Sequence, residues 1–291
     1  MIAVTGVTGH LGRLIVQALL RRGVEPSQVI AAVRTPARAD DLADRGVNVR
    51  EADYDRPETL APAFAGVDVL VLVSGNAVGE RVRQHGAAID AAKSAGVKHL
   101  LYTSVLHADT TPLLLAPEHR ATEELIAAAG IPATLLRNGW YTENYVANLE
   151  QARESSEILG SVGAGRVAAA SRADFAEAAA VAAINAAANP EQAGVYELSG
   201  DEAWDYATLA DAVGQVIGRP VAYRDVTTAE HEAILTGAGL DEGTAAFVAG
   251  LDANIRDGLL AGTSGDLARL IGRPTTPLRE GLSAALATSR V

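Results

Sequence analysis

The sequence predicts an α/β protein: a doubly wound parallel sheet, followed by a smaller, mainly helical C-terminal lobe. Three observations point there. A short apolar run at the N-terminus leads through a glycine-rich turn (Gly6, Gly9, Gly12) directly into a segment of helical periodicity, with Leu11, Ile15, Ala18 and Leu19 on one face. Strand-sized apolar runs then alternate with helical segments as far as Leu136, the pattern of a parallel sheet covered on both faces. Val69-Leu70-Val71-Leu72-Val73 is apolar at every position, as a strand buried from both sides must be.

The elements follow in order. Met1–Val4 is the first strand and Leu11–Arg22 the first helix. Val29–Val33 is the second strand and ends in Arg34. Asp40–Arg45 reads as helix, Val47–Glu51 as the third strand and Glu58–Phe64 as a short helix. Val67–Val73 is the fourth strand and Arg81–Ala95 a helix. His99–Thr103 is the fifth strand, Glu118–Ala129 a helix and Ala133–Leu136 the sixth strand. The alternation loosens after Gly139. Tyr141–Glu150 reads as helix, and Asp174 as the cap of the alanine-rich helix that follows it. Val195–Leu198 reads as strand, Tyr206–Ile217 as helix and Val221–Asp225 as strand. Pro274 and Pro277 mark a turn before a last helix. The expected division is residues 1–138, with returns near 165–200, as the nucleotide-binding domain, and 139–291 as a lobe over the C-terminal strand ends. Ligands of open α/β sheets bind there.

Composition narrows the function. The chain has 291 residues, 48% of them hydrophobic, enough for a sizeable core. Its formal net charge of −12 repels nucleic acid and acidic lipid, so neither is an expected partner. There is no cysteine, which excludes disulfides and thiol chemistry and fits a cytoplasmic protein. Met1 opens into the first strand, so no targeting peptide is expected. No apolar run reaches the length of a membrane span. The histidines make no metal-ligand spacing, and no metal site is expected.

The turn Gly6-Val7-Thr8-Gly9-His10-Leu11-Gly12 carries the first chemistry. Glycine lets the backbone turn tightly and approach a pyrophosphate. The unpaired N–H groups and positive dipole end of the following helix then hold it. Arg34, ending the second strand, stands where a 2′-phosphate would lie, and Arg38 adds a second charge; both favour NADPH over NADH. Asp53 and Tyr54 end the third strand, near an adenine edge. Ser74, Gly75 and Asn76 end the fourth, near the nicotinamide ribose, and Thr103 and Ser104 end the fifth. No tyrosine has lysine four residues on, so Tyr-Lys acid catalysis is absent.

Tyr102 to Thr110, Glu118-His119 and Leu135 to Tyr145 resemble the NmrA-like atypical short-chain dehydrogenases, and among them most nearly the type 2 NADPH:quinone oxidoreductases. The similarity extends to Ile271–Pro277 and covers nearly the whole chain. It implies a Rossmann domain with a small C-terminal lobe, NADPH as cofactor, and flavin-independent two-electron reduction of quinones. The family's cofactor positions fall here on Gly6 through Leu11, Arg34, Ser74 to Asn76, and Asn138, Gly139, Trp140 and Tyr141. Gly75, Asn76 and Ala77 depart from it, standing where small polar residues followed by an acidic one are expected.

The expected reaction is hydride transfer from NADPH to a quinone or a similar electron-poor acceptor. His119, Asn138 and Tyr141 are the candidate catalytic residues, with His119 as donor to the charge that builds on a quinone oxygen. The alternative is an NADP(H)-binding redox sensor without catalysis. The sequence leaves the assembly open, a homodimer being one arrangement it allows.

Overall fold

The computed structural model describes residues 1–288. The last three residues of the expected C-terminal lobe, 289–291, lie outside the described residues. The described residues form eleven strands. Those of the N-terminal half are β1 (Ile2–Thr5), β2 (Val29–Val33), β3 (Asn48–Glu51), β4 (Val69–Leu72), β5 (His99–Val105) and β6 (Ala133–Asn138). Then come β7 (Glu157–Gly160), β8 (Arg166–Val167), β9 (Gly194–Leu198), β10 (Trp204–Asp205) and β11 (Ala222–Asp225). The helices between them are α1 (His10–Arg21), α2 (Asp40–Ala43), α3 (Leu60–Ala63), α4 (Arg81–Ser94), α5 (Ala116–Ala129) and α6 (Val146–Ser155). The second half adds α7 (Arg172–Ala188), α8 (Tyr206–Ile217), α9 (Thr228–Gly237), α10 (Glu242–Arg256), α11 (Asp266–Ile271) and α12 (Leu278–Thr288).

Seven strands form one parallel sheet in the order β3-β2-β1-β4-β5-β6-β9. The order reverses between β1 and β4, where an open α/β sheet leaves a crevice at its C-terminal edge. All residues of β1, β2, β4 and β5 are buried, as layers on both faces require. On one face α1 and α7 pack together and on the sheet through Ile15, Leu19, Ala176, Ala179 and Ala183. Alanine brings the two helix axes close. On the other face lie α3, α4 and α5, with Phe64, Ile89, Tyr102 and Ile126 in the core. Two small sheets, β7 beside β11 and β8 beside β10, carry the C-terminal lobe, whose core includes Leu149, Ile158, Leu209 and Trp204. No helix among the described residues is long and apolar enough to cross a membrane.

One expectation is corrected. Asp174 does not cap the alanine-rich helix; Ser171 does, its hydroxyl accepting from the Asp174 N–H at 3.1 Å. Asp174 sits one turn inside, fully buried, and takes Arg273 at 2.7 Å and the Thr276 N–H at 2.9 Å. The partners that make burial of this carboxylate tolerable lie about a hundred residues away.

Candidate functional site

The site grows from the C-terminal ends of β1 to β6. Gly6 follows β1 with φ +62°, a conformation glycine adopts without strain, and its carbonyl accepts from the Gly9 N–H at 2.9 Å. Gly9 caps α1 without a side chain, and the first turn of α1 holds no acidic residue. Gly12 is held closest: a Cβ there would lie 2.5 Å from the Gly6 carbonyl oxygen and 2.8 Å from that of Thr5. The turn is thus a bare backbone cradle at a helix N-terminus, fitted to a phosphate. Val7 is buried beneath it, Thr8 and Leu11 are half-buried, and His10 is exposed.

Arg34 and Arg38 are both exposed beyond β2. The structure adds a third cation absent from the sequence reading. Arg13, one turn into α1, donates to the Arg38 carbonyl at 3.1 Å and pairs with Asp41 at 2.7 Å. After β3, Asp53 uses Oδ1 to accept from the Asp55 N–H at 3.0 Å, closing a local turn. Tyr54 turns inward, its ring edge-on to His85 at 6.0 Å, and burial raises its phenol pKa. After β4, the Ser74 N–H donates to Thr103 Oγ1 at 2.8 Å and the Gly75 N–H to His85 Nε2 at 3.1 Å, while Asn76 is exposed. Buried Arg81, at the start of α4, donates to the Gly75 carbonyl at 2.8 Å and so holds this strand end from below.

Thr103 and Ser104 are neighbours on β5 and face opposite ways. Thr103 joins Ser74. Ser104 instead donates to Glu123 at 2.6 Å, within a buried cluster where Arg137 grips Glu123 through two bonds of 3.0 and 2.7 Å. His119 is also inside. Its Nδ1 meets the Tyr102 hydroxyl at 2.8 Å, and burial, with the charge of Arg81, pulls its pKa down to about 3. The imidazole is neutral at physiological pH. His85 is pulled to about 3 in the same way.

At the end of β6 the buried Asn138 donates to the Tyr141 hydroxyl at 3.3 Å, while its Oδ1 has no partner. Gly139 is wedged, since a Cβ would lie 3.0 Å from the Leu198 carbonyl oxygen. The Tyr141 ring packs edge-on against Phe175 and under Arg172. From here the chain runs into the wall of a cavity of about 630 Å³ within the C-terminal lobe, between α6, α8, α9 and α10. It is lined by Trp140, Asn144, Tyr145, Tyr206, His231 and Asp252 among others. Its volume is that of a small-molecule site. The sequence reading named Trp140 but missed the other five. Asn144 and Tyr145 stood in a quoted motif; His231 and Asp252 carried no local pattern.

The family model described as NAD(P)H-binding matches residues 6–186. The chain is 46% identical to quinone oxidoreductase 2 of Escherichia coli K12, over 97% of this chain and 98% of that protein. The crystal structure of the NADPH-dependent quinone oxidoreductase from Escherichia coli, complexed with NADPH, superposes with a TM-score of 0.91 and 44% identity, covering 98% of this chain and 99% of that one. The Citrobacter sp. triphenylmethane reductase, complexed with NADP(H), superposes with a TM-score of 0.89 and 38% identity, covering 98% and 100%.

Proposed function

From the premise that the chain belongs to the NAD(P)H-binding family, we propose that it is an NADPH-dependent oxidoreductase acting on quinones or similar electron-poor acceptors. The observation that carries the cofactor assignment is the bare cradle of Gly6, Gly9 and Gly12, joined along the same sheet edge by the orphaned Asn138 Oδ1. In this reading the cradle, with Val7, Thr8, His10 and Leu11, holds the pyrophosphate. Arg34 and Arg38, with Arg13 behind them, hold the 2′-phosphate. Asp53 and Tyr54 flank the adenine. Ser74, Gly75, Asn76 and Thr103 line the nicotinamide ribose, and Ser104 supports them from behind through Glu123. Asn138, Gly139, Trp140 and Tyr141 hold the nicotinamide end.

NADPH, when bound, supplies a hydride to the acceptor. The protein's own work is to orient the acceptor ring in the cavity and exclude water from it. We assign His119 a positioning role: a neutral ring bonded to Tyr102 steadies β5 and α5 and is not the imidazolium that a strong acid would need. A hydroquinone is acidic enough to leave without a strong protein acid, consistent with the absent Tyr-Lys pair. The names of the near-full-length relatives favour a reductase over the sensor alternative. Absence of cysteine supports the cytoplasm as its place.

The test is NADPH oxidation, with NADH alongside, against benzoquinones and naphthoquinones. For Arg34→Ala the KM for NADPH should rise about 10- to 100-fold, the worth of charge-assisted bonds to a phosphate, with NADH unaffected. An unchanged cofactor preference would remove Arg34 from the site. NADPH binding without turnover on any quinone would transfer the assignment to the sensor.

A further inference from the structure

The cavity in the C-terminal lobe meets a polar atom that the fold leaves unused. His231, on α9, is 5% exposed and lines the cavity. Its Nδ1 lies 3.1 Å from Asp252 Oδ2, on α10, and 3.2 Å from Ser161 Oγ, after β7. The Ser161 N–H donates to the same Asp252 oxygen at 2.7 Å. The carboxylate is therefore anchored, and it turns the Nδ1 edge of the ring toward protein. Nε2 makes no hydrogen bond among the described residues. Nor is it sealed off, since the unpaired side-chain atoms shut away from solvent belong to other residues. The opening it reaches is the cavity that His231 lines. The Tyr145 hydroxyl, by contrast, is shut away against Tyr206 and Trp140.

In the neutral ring the proton belongs on Nδ1, because the carboxylate it faces can only accept. Nε2 is then an acceptor with a free lone pair. Asp252 also lines the cavity and is an acceptor too. Around them stand Leu159, Leu235, Val248 and Leu251. An apolar ring bearing a hydroxyl matches this wall: the ring displaces water from the aliphatic side chains and the hydroxyl donates to the imidazole. We propose that the lobe cavity is a binding site for phenols, which it recognises by accepting their hydroxyl proton in a hydrogen bond at His231 Nε2. A cationic arene is the poorer match, because Asp252 already takes the Ser161 N–H and the His231 ring. The inference goes beyond the quinone reading and stands without it, since it concerns binding and not hydride transfer. The two meet at one point: a hydroquinone carries such a hydroxyl, so the product of the proposed reaction belongs to the class the cavity holds.

2-Naphthol and naphthalene share a ring system and differ by the hydroxyl. Equilibrium dialysis without NADPH, at a pH about two units above the ordinary histidine value, compares them. Wild type should bind 2-naphthol about tenfold more tightly, because naphthalene leaves Nε2 dry and unpaired. In His231→Phe the preference should disappear, with naphthalene bound at least as well as in wild type. His231→Gln, which keeps an amide acceptor, should retain part of it. In wild type labelled with nitrogen-15 histidine, 2-naphthol should shift one imidazole Nε2 signal and naphthalene should not. That measurement needs no variant, so it decides the matter if His231→Phe folds poorly. Equal weakening of both ligands in His231→Phe would reduce His231 to a structural role and overturn the inference. So would a wild-type preference below about twofold, an undisturbed Nε2 signal, or tighter binding of 2-naphthylmethylammonium than of 2-naphthol. Failure of the quinone turnover assay removes the quinone reading alone and leaves this binding to be measured as before.

Discussion

Gly12→Ala should abolish NADPH binding at concentrations that saturate the wild type and lower the melting temperature as well. The added Cβ would meet the Gly6 carbonyl oxygen at 2.5 Å, its carbonyl carbon at 2.7 Å and the Thr5 oxygen at 2.8 Å. All three are backbone atoms at the end of a central strand. Relief requires α1 to move away from β1, which widens the cradle and uncovers Ile15 and Leu19. Overpacking of this kind costs about 1–3 kcal/mol, and more where nothing flexible can yield. Gly9→Ala is the control. Its Cβ would meet only the Gly6 oxygen, at 3.2 Å, so a smaller loss is expected. Titration of NADPH fluorescence with thermal melts of both variants makes the comparison. Equal effects at the two positions would show that the tight approach at Gly12 is not what shapes the cradle.

Acid should destabilise the fold steeply below neutrality, through two histidines. His85 is fully buried between Gly75 and Thr122, and His119 is 6% exposed beside Tyr102; burial pulls both to about 3. In the unfolded chain a histidine titrates near 6.5. The unfolded state therefore binds more protons between these limits, and stability falls as pH drops from about 6.5 toward 3. By pH 5 each ring should have cost about 2 kcal/mol, so the two together cost roughly 4 kcal/mol relative to neutral pH. Urea unfolding between pH 7.5 and pH 5 should show this slope. In His119→Gln about half of it should vanish, because glutamine takes up no proton. An unchanged slope in that variant would mean that His119 is protonated in the native protein, and would return it to candidacy as an acid.

The parts of the site legible in the sequence are those that depend on near neighbours. Strand, glycine turn and helix follow within the first twenty residues, and their spacing alone dictates a cradle. Arg34 could be placed because a strand of known length puts its last residue at the sheet edge. Side-chain direction was less accessible. Thr103 and Ser104 read as equivalent strand-end residues, yet the pleat sends one to Ser74 and the other to the Glu123–Arg137 cluster. The burial that keeps the His119 ring neutral, and its bond to the Tyr102 hydroxyl, were not legible either.

By itself the sequence determined the parallel sheet and the glycine turn at the end of its first strand, because hydrophobic period, glycine spacing and strand length are local properties. Only the tertiary structure decided which polar groups meet and in what charge state. Ser161 reaches Asp252 and His231 across 91 and 70 residues. Asp174 finds Arg273 across 99. Such pairs leave no periodicity in the chain. Their chemistry is set by desolvation and by distances of about 3 Å, and neither exists until distant elements of the chain have packed together.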